Sequence, residues 1–196
     1  MQIDLDNIPR RLKYFRNWLL KKIFDFHPWH VSAFESRPYC ADLVSYINDF
    51  VIDDSCVVEI GCGLGETLSK VKSKKKTGFD ISTEVIKAAN FLNYFNNTQF
   101  HVGSFESIQD MQIDYLIAVN FLHEFEPHQV KRWFEKLILN NRISHLVVDE
   151  LTDKNYFCLH DWEELLPSGF KQMHCIENNY KSGRAIKIFS NQVLDE

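Results

Sequence analysis

The stretch "VVEIGCGLGETLSKV", residues 57–71, decides the fold. It opens on residues suited to a buried strand, passes through Gly61, Gly63 and Gly65, and ends in a helical pattern. Three glycines in five positions cost backbone entropy on folding, so this turn needs bare backbone. Gly61 and Gly63 remove side chains where the strand turns, which lets a ligand approach the backbone amides. Gly65 lets the next helix, read as 65–73, start tight against the sheet.

Outward from that turn, strand and helix alternate. Strands are expected at 56–60, 77–80, 98–103, 113–119 and 144–151, with a closing pair at 170–179 and 184–190 around the turn "YKSG". Helices are expected at 40–51, 82–95, 126–139 and 160–167. Ser82 is placed to cap the second of these, and Pro127 stands at the entry of the third. The pattern is that of an α/β protein with an open, mostly parallel sheet covered by helices on both faces. Ligands in such sheets bind outside the carboxyl ends of the strands, so functional residues are sought just after strands. No repeat or long linker interrupts the pattern. The reading is one domain over 1–196, a helical cap or lid at 1–50 on a Rossmann-like core at 51–196.

Composition sets outer limits. A hydrophobic share of 45% and a charged share of 25% are those of an ordinary globular protein. A net charge of −5 argues against coating a nucleic acid. Five scattered cysteines without a Cys-x-x-Cys pair favour reduced thiols and a cytoplasmic protein. No apolar run approaches the ~20 residues of a membrane span, and the start carries no signal-type apolar stretch. Basic residues concentrate near the start. "RRLKYFRNWLLKKIF" (10–24) places Leu12, Phe15, Leu19 and Ile23 on one helical stripe, with Trp18 beside it and Arg and Lys on the other side. The ordinary expectation is that this helix packs on the domain with its charges in water. The alternative is peripheral contact with a membrane surface or an anionic partner.

Glu59 selects among ligands. An acid at the strand end repels a dinucleotide pyrophosphate, and the spacing Gly-x-Gly-x-Gly differs from the dinucleotide fingerprint Gly-x-Gly-x-x-Gly. A ligand carrying an ammonium and a sulfonium suits the acid better. Asp80, closing "TGFD", is placed to accept hydrogen bonds from both hydroxyls of a ribose.

With these residues the chain resembles the class I S-adenosylmethionine-dependent methyltransferases over roughly residues 40–190. "VVEIGCGLGE" is similar to their first motif and "GFDIS" to the acidic end of their second strand. "HVGSF" resembles the loop beside the adenine, "IDYLIAVNFLHEFEP" the fourth strand with its catalytic loop, and "RAIKIFS" the antiparallel strand that closes a seven-stranded sheet. The resemblance implies S-adenosylmethionine as donor, S-adenosylhomocysteine as product, and donor contacts from Glu59, Gly61, Cys62, Gly63, Asp80, Ile81, Ser104, Phe105 and Asn120. Ser104 stands where many members carry an acid, so adenine is expected to rely on Ser104, backbone groups and the Phe105 ring.

A narrower resemblance rests on "HPWHVSAFESRPY" (27–39), "NFLHEF" (120–125) and "HDWEELLP" (160–167). These look like small bacterial methyltransferases often encoded among surface-polysaccharide genes, which implies a carbohydrate or other small hydroxylated acceptor. A hydroxyl needs a base, and His123, just past the fourth strand, is the candidate, with Glu124 beside it. His27, Trp29, His30, Arg37, Tyr39, Asp149, Glu150 and His160 are the candidate acceptor residues. Arg37 can reach an anionic group, and capping is the competing role at His160-Asp161. His27-x-x-His30 is a weak metal spacing with no second pair after it, so no metal is expected. Three rivals remain at this stage: N-methylation of a small molecule, an NAD(P)-dependent oxidoreductase on a similar sheet, and a non-catalytic cofactor-binding partner protein.

Overall fold

Along Cys56–Ile60 (β1) successive side chains alternate between two apolar layers, as a strand buried on both faces requires. Val57 joins a cluster with Leu43, Ile47 and Leu68, whereas Val58 and Ile60 join one with Phe134, Leu137 and Trp162. The computed structural model describes residues 9–94, 96–177, 180 and 183–191. The first eight residues of the expected cap, Phe95, the end of the first closing strand at 178–179, and 181–182 of the turn after it lie outside them.

Six further strands flank β1: Lys75–Asp80 (β2), Thr98–Val102 (β3), Gln112–Ala118 (β4), Arg142–Leu151 (β5), Phe170–Ile176 (β6) and Arg184–Asn191 (β7). They form one seven-stranded sheet in the order β3-β2-β1-β4-β5-β7-β6. The first five strands are parallel, and β7 inserts antiparallel between β5 and β6. The strand order reverses between β1 and β4, and sheets of this kind take ligands in the crevice outside the carboxyl ends of the strands at that point.

The helices are Arg10–Phe24 (α1), Pro38–Phe50 (α2), Thr83–Leu92 (α3), Pro127–Asn140 (α4) and Trp162–Leu165 (α5). Ser82 caps α3 by accepting from the Val85 amide at 3.3 Å, and Pro127 occupies the first turn of α4. The helix expected at 65–73 does not form. Only a 3₁₀ turn, Leu68–Lys70, appears there. The connection must return along the whole of β1, about 3.3 Å per residue, to start β2 at Lys75. The chain makes the return with one tight turn and extended residues in place of an α-helix.

The orientation of α1 also differs from the ordinary expectation. Lys13 (5% exposed), Asn17 (0%) and Leu20 point inward, while Leu12, Phe15, Trp18, Leu19 and Ile23 face out. Polar partners explain the inversion. Lys13 Nζ reaches Glu35 at 2.5 Å, Arg16 reaches Glu66 at 2.6 Å, and the Asn17 amide donates to Glu66 at 3.2 Å.

Candidate functional site

The turn after β1 is built from left-handed backbone. Gly61, Gly63 and Gly65 have φ of +69°, +54° and +72°, conformations that cost an L side chain roughly 1–2 kcal/mol. Space is also closed to side chains. A Cβ on Gly61 would lie 2.8 Å from the Phe121 ring, one on Gly63 would lie 3.2 Å from His30 Nδ1, and one on Gly65 would collide with the Phe100 ring. Two of the three glycines are therefore needed for aromatic packing as well as for the turn.

Asp80 ties this turn to the next strand end. One carboxylate oxygen accepts from the Gly63 amide at 3.0 Å and the other from the Ser82 amide at 3.0 Å. A carboxylate offers about four lone-pair sites, so two remain for hydroxyl groups. Ile81 beside it is 77% exposed, and Val102 at the end of β3 is also open, an apolar lip suited to a flat ring. Ser104 caps the short turn that follows β3. Phe105 departs from expectation: its ring is buried, stacked on Trp133 at 5.2 Å and edge-on to Phe134, so its face serves the core and not an adenine. Burial raises the Cys62 thiol well above its ordinary range, with Glu59 and Asp80 adding to the effect.

Glu59 lies behind the glycines, buried, with Oε2 lacking a hydrogen-bond partner. Burial pushes its carboxyl up to about 8, against the opposing pull of Arg37 and the Leu68 amide. Arg37 sits close by, its Nε also buried without a hydrogen-bond partner. Burial opposes its charge, yet the surrounding Cys40, Glu66, Tyr39 and Glu59 groups raise its pKa. Its Nη2 donates to Glu66 at 3.2 Å. Glu66 thus holds Arg16, Asn17 and Arg37 together and fastens α1 and the segment before α2 to the glycine turn. His30 closes over Gly63; burial lowers its pKa, with Asp80 opposing.

Across the crevice, the chain leaves β4 through Asn120, a left-handed residue at φ +74° whose amide donates to Asp149 at 3.0 Å. The other Asp149 oxygen forms a buried ion pair with Arg184, which lies 4.5 Å over the Tyr39 ring. Tyr39 is pushed up to about 12 by burial and by Cys40, against Arg184 and Arg37. His123 follows in a 3₁₀ turn, buried, its ring 4.8 Å from that of Tyr156 and its Nδ1 without a hydrogen-bond partner. Burial lowers it to about 4, helped by Arg184 and His160, so the imidazole is neutral at pH 7. His160 Nε2 donates to the Leu122 carbonyl at 2.9 Å and braces this turn. Asp161 caps α5, accepting from the Glu163 amide.

The structure therefore gathers Glu59, Gly61, Cys62, Gly63, Asp80, His30 and Arg37 on one side, and Asn120, His123, Asp149, Tyr39 and His160 on the other. Glu150 instead pairs with Lys187 at 2.7 Å, Glu124 and Trp29 are exposed, and His27 is spent on accepting from the Trp29 amide. Sequence reasoning missed Glu66, Phe121, Arg184, Arg16 and Asn17. Glu66 alone carried a signal, as the acid directly after the third glycine. Among the described residues, no cluster of three or more His, Cys, Asp or Glu can hold a metal ion.

A glycine turn between two buried acids thus sits at the switch point of a sheet ordered 3-2-1-4-5-7-6, a Rossmann-like methyltransferase fold. Residues 57–139 match the family model described as a methyltransferase domain. Among solved structures, the chain is similar to the N-methyltransferase NodS from Bradyrhizobium japonicum WM9 in complex with S-adenosylhomocysteine, at 13% identity. That match covers 91% of this chain and 98% of the other, with a TM-score of 0.71. The magnesium protoporphyrin IX methyltransferase ChlM from Synechocystis PCC 6803 with bound S-adenosylhomocysteine is similar at 14% identity, 90% and 93% coverage and TM-score 0.67. The PH0226 protein from Pyrococcus horikoshii OT3 matches at 16% identity, 87% and 99% coverage and TM-score 0.67. At these identities the likeness is one of fold. No curated protein matches the sequence.

Proposed function

We propose that this protein transfers a methyl group from S-adenosylmethionine to a hydroxyl of a small molecule, a carbohydrate or related metabolite, with His123 as the base. The observation that carries the oxygen acceptor is the neutral, buried imidazole with an unpartnered Nδ1 on the β4 side of the crevice. The donor fits the residues opposite. The left-handed glycine turn stands beside them, the unpartnered Glu59 Oε2 suits an ammonium, and Asp80 keeps lone pairs for ribose hydroxyls.

When bound, the donor supplies a methyl on a sulfonium, which passes in line to the acceptor oxygen as the carbon–sulfur bond breaks and leaves the thioether product. Everything else falls to the chain. Glu59 and Asp80 orient the donor, and alignment of this kind is worth roughly 7–11 kcal/mol of barrier. Phe121 and His30, packed on Gly61 and Gly63, keep water from the crevice. His123 takes the acceptor's proton on Nδ1. A pKa of about 4 makes it a weak base toward a free alcohol. An oxygen already bonding to carbon is far more acidic, however, and the ring is unprotonated throughout the neutral range.

The test uses methyl-labelled donor with a panel of monosaccharides, nucleotide sugars and amino sugars. His123→Asn is expected to lower transfer to an accepted hydroxyl by roughly 10²–10⁴-fold while leaving donor affinity unchanged. Transfer confined to amines, and indifferent to His123, overturns the proposal in favour of N-methylation.

A further inference from the structure

The outward face of α1 has no role in the crevice, and it is unusual. Phe15 is 54% exposed and Ile23 70%, with Leu12, Trp18 and Leu19 also open on the same face. Phe15 and Trp18 stack at 5.9 Å, and Lys22 Nζ lies 5.5 Å over the Trp18 ring. Arg11 falls on the same side of the helix by its period. Exposed apolar residues scattered singly are ordinary, whereas a contiguous stripe rimmed by charge marks an interaction surface.

The helix cannot roll to bury this stripe. Its inner face is pinned by Lys13–Glu35, Arg16–Glu66 and the fully buried Asn17, whose amide also donates to the Val31 carbonyl. Charge then selects the occupant. The segment 10–24 contains six basic residues and no acidic one, in a chain of net charge −5. A second copy of the same face would set Arg11 and Lys22 against cations with no counter-charge. The fitting occupant is anionic and apolar at once, with phosphates at the level of the Lys and Arg heads and hydrocarbon beneath the rings.

We propose that α1 is a docking helix for the surface of an anionic lipid bilayer. It lies in the interface with Phe15, Trp18, Leu19 and Ile23 inserted and Arg11, Lys21 and Lys22 on the headgroups. Its inner face holds the glycine turn through Glu66, so docking sets the crevice beside the membrane plane. The proposal is independent of which acceptor is methylated.

Flotation of the full chain with vesicles of phosphatidylcholine, or of an equal mixture with phosphatidylglycerol, tests it. Binding is expected only with the anionic vesicles. Lys21→Gln with Lys22→Gln should lower the partition roughly 25-fold, taking about fivefold per charge. Phe15→Ser with Trp18→Ser should lower it at least about tenfold. Titration with S-adenosylhomocysteine should give unchanged heats in both variants, which shows that they are folded. Absence of binding to anionic vesicles overturns the proposal. So does a dimer in sedimentation equilibrium that the Phe15/Trp18 variant dissolves, which would assign the face to self-association.

Discussion

Replacing Glu59 by Gln removes a titration that couples donor binding to pH. In the free protein, burial pushes the Glu59 carboxyl up to about 8. At pH 7 such a group is protonated in about nine molecules of ten. A sulfonium and an ammonium beside it favour the carboxylate, so binding at pH 7 should release close to one proton. Affinity for S-adenosylmethionine should then rise about tenfold between pH 6 and pH 7, below the range where the donor's own amine titrates. Isothermal titration in buffers of different ionisation enthalpy counts the proton directly. Glu59→Gln should release none and show a flat affinity over the same interval. A wild-type affinity that is flat from pH 6 to 7, with no proton released, refutes the reasoning. Folding obeys the same sign. The folded carboxyl lies above its ordinary 4.5, so its contribution is present below that value and lost as pH rises through about 8.

The other predictions read stability, clamp and base. Gly65→Ala combines a left-handed φ with a clash against Phe100, and should cost roughly 2–4 kcal/mol in chemical denaturation. A loss under 1 kcal/mol, on the order of ordinary surface changes, contradicts that geometry. Glu66→Gln weakens the hold on Arg16 and Arg37; the pairs are partly exposed, so the loss should be about 1–3 kcal/mol. It should also raise amide exchange in α1, and unchanged exchange there counts against the clamp. For His123, burial lowers the imidazole to about 4, so kcat should hold its neutral value well below pH 6.5 and fall only as pH approaches 4. An acid limb near 6.5 would mean that His123 is solvated or is not the base. In folding, the same depressed pKa gives stability that is present above 6.5 and lost as pH falls through 4.

What was legible in the sequence was local. β1, the glycine turn, Asp80 at the end of β2 and the Ser82 cap all follow from short-range rules of strand, turn and helix entry. The seven strands and the antiparallel last one came by resemblance, and the order was not read at all, because strand order is set by packing between distant segments. The helix expected at 65–73 is only a 3₁₀ turn at Leu68–Lys70, an outcome that the local residue pattern does not foretell. The face of α1 was misjudged for a similar reason: an amphipathic stripe normally points inward, but the partners that turn Lys13 and Asn17 to the interior, Glu35 and Glu66, lie 22 and 49 positions away. Phe105 was expected to serve the adenine, and it packs on Trp133, a contact that no local pattern foretells. Asp149 is drawn to Arg184, across the β5–β7 pair, by the antiparallel register of those strands.

The most direct measurement is a crystal structure of the full chain grown with S-adenosylhomocysteine. The account predicts the nucleoside beside the glycine turn at 61–65, both ribose hydroxyls on the Asp80 carboxylate, the amino group at Glu59 and the sulfur facing His123. A product molecule seated elsewhere, or Asp80 still bonded only to the Gly63 and Ser82 amides beside it, would contradict the account.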